Sequence, residues 1–272
     1  MLFRCTNSTP KFIKFRMTKV IFFDIDGTLL DRDGKFNPGT LYSLDKLKEK
    51  GIKCVVASGR HMIEIEDLPI KDYPFDGYVL LNGQIILDEN KNIIYAHSLN
   101  ENDMTILKEM FINKVLPIVF VEKDRLYLNY IDDNVIKAQD SIVSTSPLIG
   151  EYMGNIVYQA SVFVDKDGIR KLSKKLSHTK ITSWHEYGYD LIANDGGKHN
   201  GILKILEYYN IDKNDSIAFG DGENDISMFE IVGLSIAMGD ASLCVKEKAD
   251  EVTNTSKENG IYNALIEHGI IK

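Results

Sequence analysis

The chain has little of several things. Its 272 residues include one tryptophan, three cysteines and six prolines. Cys5, Cys54 and Cys244 are odd in number and far apart, which fits neither a disulfide framework nor a zinc site. They read as free thiols in a reducing compartment, so a cytoplasmic location is expected. Basic residues are also short: 32 lysines and arginines face 40 aspartates and glutamates, for a net charge of −8. A chain of that sign lacks the basic footprint of a general nucleic-acid binder. No apolar run approaches the roughly 20 residues that span a bilayer, so no membrane partner is expected. Internal repeats and low-complexity tracts are missing too. What is present is ordinary globular composition, 44% hydrophobic and 26% charged. The length suits one large domain or two modest ones.

Residues 1–16 carry Arg4, Lys11, Lys14 and Arg16 and no acid. They lack the apolar core of a secretory signal. They read as a disordered extension, or as sequence upstream of a start at Met17. Val20-Ile21-Phe22-Phe23 then forms a continuous apolar run, the mark of a strand buried on both faces. A helix should follow, with Asn37 as N-cap, Pro38 in its first turn and Gly51 just past its end. Residues 52–57 and 77–81 read as two more buried strands. This rhythm predicts an α/β sheet with ligands at the carboxyl ends of its strands.

After Asn82-Gly83 the rhythm changes. Residues 84–87 and 93–97 read as a hairpin, and 118–121 with 125–130 as another. Helices are expected near 101–113, 132–143 and 168–176, and further strands at 157–164, 181–185 and 189–193. Such hairpins with interspersed helices predict an α+β insert. The first rhythm returns at Lys198, with strands at 216–219 and 235–238 and a last helix that stops near Gly269.

Four places carry chemistry. In Asp24-Ile25-Asp26-Gly27-Thr28, alternation along a strand puts Asp24 and Asp26 on the same side. Two carboxylates at the end of an apolar strand are costly to bury unpaired, and Mg²⁺, which takes hard oxygen ligands, relieves that cost. An EF-hand is excluded: counted from Asp24, the sixth and twelfth positions are Leu29 and Lys35, where Gly and Glu are needed. A P-loop is excluded because no G-x-x-x-x-G-K-[ST] occurs. Ser58 and Gly59, followed by Arg60, end the second strand, where a hydroxyl and backbone N–H groups can hold a phosphate oxygen; the bland alternative is a turn. Lys198 is the third place, with a solvated surface lysine as its alternative. The fourth is Gly220-Asp221-Gly222-Glu223-Asn224-Asp225, where Asp221 and Asp225 can turn toward one cation or merely cap a helix. Brought together at strand ends, acids, a cation and a lysine suit phosphoryl transfer, in which positioning and charge neutralisation dominate.

In this order the four places resemble the haloacid dehalogenase superfamily, over residues 17–272. The insert falls between the second and third motifs, and Phe219 to Asp225 followed by Ala237-Met238-Gly239 is similar to the Cof-type phosphatases. The resemblance implies a doubly wound, mostly parallel, Rossmann-like α/β core at residues 17–83 and 190–272 and an α+β cap at residues 84–189. It implies a Mg²⁺-dependent phosphatase of small phosphorylated metabolites, sugar phosphates above all, working through an aspartyl-phosphate. Asp24 is then the nucleophile and Asp26 the general acid and base. The metal falls to Asp24, to Asp26 through its carbonyl, to Asp221 and to Asp225. Thr28, Ser58, Gly59, Lys198 and Asn224 fall to the phosphoryl group. A carboxylate at Asp26, where ion-pumping relatives have threonine, favours turnover.

The cap should close over the crevice, with a hinge at Asn82 and Gly83 and a return at residues 188–197. Asn82, Gly83, His185 and Tyr187 are the candidates to meet substrate there, the alternative being ordinary strand packing. Trp184 is expected in the cap core, and Arg125 and Asn129 are further polar candidates. Two competing functions remain: a phosphomutase, and a phosphometabolite-binding regulator without turnover.

Overall fold

The computed structural model describes residues 18–140 and 147–272. The expected extension at 1–16 and the end of the helix expected at 132–143 lie outside these residues. In chain order the elements are β1 (Val20–Phe23), α1 (Pro38–Glu49), β2 (Lys53–Ala57), α2 (Met62–Ile65), β3 (Gly77–Leu80), β4 (Ile85–Asp88) and β5 (Ile93–Ala96). The middle of the chain forms α3 (Glu101–Ile112), β6 (Ile118–Val121), β7 (Leu126–Leu128), α4 (Asp133–Gln139), β8 (Gln159–Phe163), α5 (Lys166–Ser173), β9 (Thr179–Ser183) and β10 (Gly188–Ala193). It closes with α6 (Lys198–Tyr208), β11 (Ser216–Gly220), α7 (Ile226–Phe229), β12 (Leu234–Ala237), α8 (Leu243–Lys246), β13 (Glu251–Val252) and α9 (Gly260–Glu267). No helix among the described residues is long and apolar enough to cross a membrane.

The large sheet has the order β13-β12-β11-β1-β2-β3-β4-β5. Its β13 to β3 portion is parallel, and β4 and β5 are antiparallel. β1 lies at the centre, and all four of its side chains are fully buried. Alternation splits them between the two faces. Ile21 and Phe23 pack with Leu44 and Leu47 of α1 and Ile261 and Leu265 of α9. Val20 and Phe22 pack with Ile202 and Ile205 of α6 on the other face. Both faces are thus covered by helices, as a doubly wound sheet requires. The α1 signals are as expected: Asn37 Oδ1 accepts from Gly39 N at 2.8 Å, and Gly51 takes φ +70° just beyond the helix.

The second sheet is antiparallel, with the order β7-β6-β8-β10-β9. Its core gathers Leu107 and Phe111 of α3, Phe120, Val162, Leu172 of α5 and Leu191. The sheets do not divide where the sequence suggests. The hairpin β4–β5, placed above in the cap, pairs onto β3 (Gly77 opposite Asp88, Leu80 opposite Ile85) and extends the large sheet. β10 lies wholly in the small sheet, so residues 190–193, assigned above to the core, belong with the cap strands. The reason is that a hairpin's own alternation specifies its two strands but not the third strand against which they pair.

Candidate active site at the strand ends

β1 and β11 run parallel and side by side, so the loops that follow them emerge together. Asp24 leaves β1 with its N–H still bonded to Phe219 O at 3.0 Å. Asp221 and Asp225 leave β11, and Asp225 Oδ2 folds their loop by accepting from Asp221 N at 2.9 Å and Gly222 N at 2.8 Å. Lys198 opens α6 and has no solvent exposure. Its Nζ donates to Asp24 Oδ1 at 2.6 Å and to Asp225 Oδ1 at 2.5 Å. Its entry point is set by a close backbone approach: Gly83, at φ +90°, lies so near Gly197 that a Cβ there would sit 2.2 Å from the Gly197 carbonyl oxygen.

Charge is unbalanced here. Carboxylate oxygens of Asp24, Asp221 and Asp225 lie within 4.8 Å of one another, with one ammonium among them. Burial, reinforced by Asp225 and Asp221 against the pull of Lys198, holds the Asp24 carboxyl well above its usual range. Burial and then Asp225 push Asp221 up to about 7. For Lys198 burial works the other way, but Asp225 and Asp24 outweigh it and hold the ammonium above its ordinary value. Once all are ionised, three acids against one lysine leave two negative charges in a largely buried all-oxygen donor set, which fits a hard divalent cation.

Asp26 stands apart from that set. Its carboxylate is bound by Arg60, Nε to Oδ2 at 2.7 Å and Nη2 to Oδ1 at 2.8 Å. Its carboxylate is thus taken up by Arg60 and is not one of the three clustered acids, which leaves its main chain for the metal role expected above. Ser58 is buried at the end of β2, where its Oγ accepts from Arg60 N at 3.1 Å. Thr28 gives its hydroxyl to Asp221 Oδ1 at 3.1 Å, so it orients an acid. Asn224 donates to Asn82 Oδ1 at 2.9 Å. Asn82 in turn donates to Gln159 Oε1 at 3.3 Å and Asp190 Oδ2 at 3.2 Å. Asn82, in the left-handed region at φ 52°, thereby ties the β11 loop to the small sheet.

A cavity of about 580 Å³ lies between the sheets, with Asp24, Asp26, Ser58, Gly59, Asp221 and Asn224 on one side and His185 on the other. Tyr187 is not among its described lining residues; its ring lies 5.1 Å from Lys137 Nζ of α4. Asn82 and Gly83 are buried at the junction behind the cavity. Trp184, expected in the cap core, is instead 37% exposed and lines the cavity, its Nε1 donating to Asp190 Oδ1 at 3.2 Å. Asn129 is a structural residue, accepting from Ile118 N and donating to Phe111 O and Leu116 O. Arg125 is bound to Glu122. Sequence reasoning passed over Arg60 and Asp190. Arg60 carried a signal, since it directly follows the strand-end Ser58-Gly59. Asp190 carried none, because two of its three donors, Ser161 and Asn82, lie far from it in the chain.

The profile of the haloacid dehalogenase-like hydrolases matches residues 21–265. A putative phosphatase of Bacillus subtilis, YkrA, is 32% identical over 258 residues, which cover 94% of this chain and 99% of that protein. A second B. subtilis protein, the 5-amino-6-(5-phospho-D-ribitylamino)uracil phosphatase YitU, is 25% identical and covers 92% of this chain and 97% of its own length. Among solved structures, the HAD subclass IIB sugar phosphatase BT4131 superposes with a TM-score of 0.85 at 28% identity, over 93% of this chain and 100% of that one. With a strand-end aspartate, a buried lysine and a carboxylate loop arranged on this fold, the chain belongs to the haloacid dehalogenase-like hydrolases and is a phosphatase of that family.

Proposed function

We propose that the protein is a Mg²⁺-dependent phosphatase of small phosphorylated metabolites that works through an aspartyl-phosphate. One observation carries this reading: the buried Asp24–Lys198–Asp225 chain, with Asp221 alongside, meets the cavity that Asp26 and Ser58 also line. Asp24, Asp221 and Asp225 are the side chains to hold the cation. When bound, Mg²⁺ neutralises phosphoryl oxygens, so that an anionic nucleophile can approach an anionic ester.

The chain's own residues do the rest. An Asp24 carboxylate oxygen forms a bond to phosphorus as the bond from phosphorus to the leaving oxygen breaks. Asp26, positioned by Arg60, gives a proton to the leaving oxygen. The resulting Asp26 carboxylate then takes a proton from water, whose oxygen attacks phosphorus and releases inorganic phosphate and free Asp24. Ser58 and the Gly59 backbone hold a nonbridging oxygen. Lys198 fixes Asp24 in line and offsets its charge. The named substrates of the similar phosphatases, a sugar phosphate and a phosphoribityl compound, carry phosphate on polyhydroxylated carbon chains. We assign the same general class to this chain.

The test is a panel of phosphorylated metabolites offered to the purified protein with Mg²⁺ and with a chelator. Release of inorganic phosphate from monophosphates that stops on chelation and returns with Mg²⁺ is expected. Turnover indifferent to chelation would remove the metal from the reading.

A further inference from the structure

Asp190 is a buried acid that the mechanism above does not use. In β10 it lies opposite Ser161 of β8, and Leu191 lies opposite Ala160. Alternation sends Ala160, Val162 and Leu191 into the core of the small sheet. It sends Gln159, Ser161 and Asp190 to the other face, where all three line the cavity above Asp24. Asp190 is only 9% exposed and is held by three donors: Ser161 Oγ at 2.8 Å, Trp184 Nε1 at 3.2 Å and Asn82 Nδ2 at 3.2 Å. A carboxylate has about four acceptor sites, so one stays open.

All three of these donors are neutral. The two arginines that line the cavity are both engaged elsewhere, Arg32 with Asp240 and Arg60 with Asp26. Glu64 and Glu223 add negative charge to the same walls, and the hydroxyls of Thr182 and Ser183 add neutral polar groups. In an in-line displacement the leaving group points away from the nucleophile. A group leaving from Asp24 therefore points into this acidic, hydroxyl-lined part of the cavity.

We propose that Asp190 is the specificity-determining residue for the leaving group, accepting a hydrogen bond from a hydroxyl of an uncharged polyol and rejecting leaving groups that bear a second phosphate or a carboxylate. The inference rests on the phosphatase reading. It also sets the protein against mutase chemistry, since a bisphosphate intermediate has to place its second phosphate against Asp190. Rejection by an unpaired like charge at close range discriminates more strongly than loss of one attractive contact.

The experiment compares kcat/KM for sorbitol phosphate, phosphogluconate and fructose bisphosphate, with p-nitrophenyl phosphate as the reference ester. The wild type is expected to favour sorbitol phosphate over both anionic probes by about 100-fold or more. Asp190→Asn keeps the shape, removes the charge and is expected to narrow that ratio at least about tenfold, mainly by raising kcat/KM on the anionic probes. If Asp190→Asn does not fold, Asp190→Ser carries the same comparison. The wild-type ranking decides on its own as well: a preference for phosphogluconate or the bisphosphate overturns the inference, as does an unchanged ratio in the variant. No hydrolysis of any ester, p-nitrophenyl phosphate included, overturns the phosphatase reading instead.

Discussion

Arg60 grips the Asp26 carboxylate with two parallel hydrogen bonds, and the two side chains differ sharply in exposure, 8% for Arg60 against 54% for Asp26. A buried, planar fork thus aims an exposed acid into the cavity. Bidentate arginine–carboxylate pairs add geometric specificity as well as energy. Replacing Arg60 with Gln should lower kcat on alkyl phosphates by about 10- to 100-fold, a part of the roughly 10²- to 10⁴-fold that general acid–base catalysis contributes. The loss on p-nitrophenyl phosphate should be much smaller, because its leaving group departs without a proton. Equal losses on both esters would show that Arg60 does not act through Asp26.

Asp24→Asn should abolish turnover, by roughly 10⁴-fold or more, because the amide is no nucleophile. Its effect on stability should run the other way. Burial and three neighbouring acids disfavour the Asp24 charge, and Lys198 keeps Asp225 when that charge is removed. A melting temperature in metal-free buffer no lower than that of the wild type is expected. A marked fall would mean that the Lys198 pair with Asp24 contributes more than the surrounding repulsion.

Gly83→Ala should destabilise the junction between the sheets. The residue sits at φ +90°, and the added methyl carbon would lie 2.2 Å from the Gly197 carbonyl oxygen, a backbone atom that a rotamer change does not move. The cost is expected to exceed about 1 kcal/mol, read as a fall of a few degrees in melting temperature. Shifting Gly197 also shifts Lys198, so kcat should fall with it. Gly51→Ala, where nothing lies within 4 Å at a similar φ, separates backbone strain from collision.

Asp190 makes stability depend on pH in a stated direction. Burial pushes its carboxyl from the ordinary 3.8 up to about 6. The folded chain therefore holds this proton more tightly than the unfolded chain between those values, and stability falls as pH rises through them. The cost above pH 6 is on the order of 3 kcal/mol. Asp190→Asn removes it, so the variant should gain on the wild type in denaturant midpoint between pH 4 and pH 7. A constant difference across that range would show that Asp190 titrates normally.

The sequence by itself determined the parallel core and which polar residues end its strands. Val20 to Phe23 fits a doubly buried strand, and a carboxylate directly after such a strand emerges at the sheet edge that ligands use. The pairs Asp24 with Asp26 and Asp221 with Asp225 were legible for the same local reason: their spacing within a few residues constrains where they go. Tertiary structure alone decided what depends on distant partners. It sent the β4–β5 hairpin to the large sheet, since pairing against β3 buries Ile85 to Leu87. It paired Asp26 with Arg60, a guanidinium 34 residues away in the chain. It gave Thr28 to Asp221 and moved Trp184 to the cavity. It also brought Asp190 to the cavity that Asp24 lines, 166 positions away in the chain, through a strand register that no local pattern encodes. Local spacing reports which atoms a short segment presents, and only packing between segments decides which of those atoms meet.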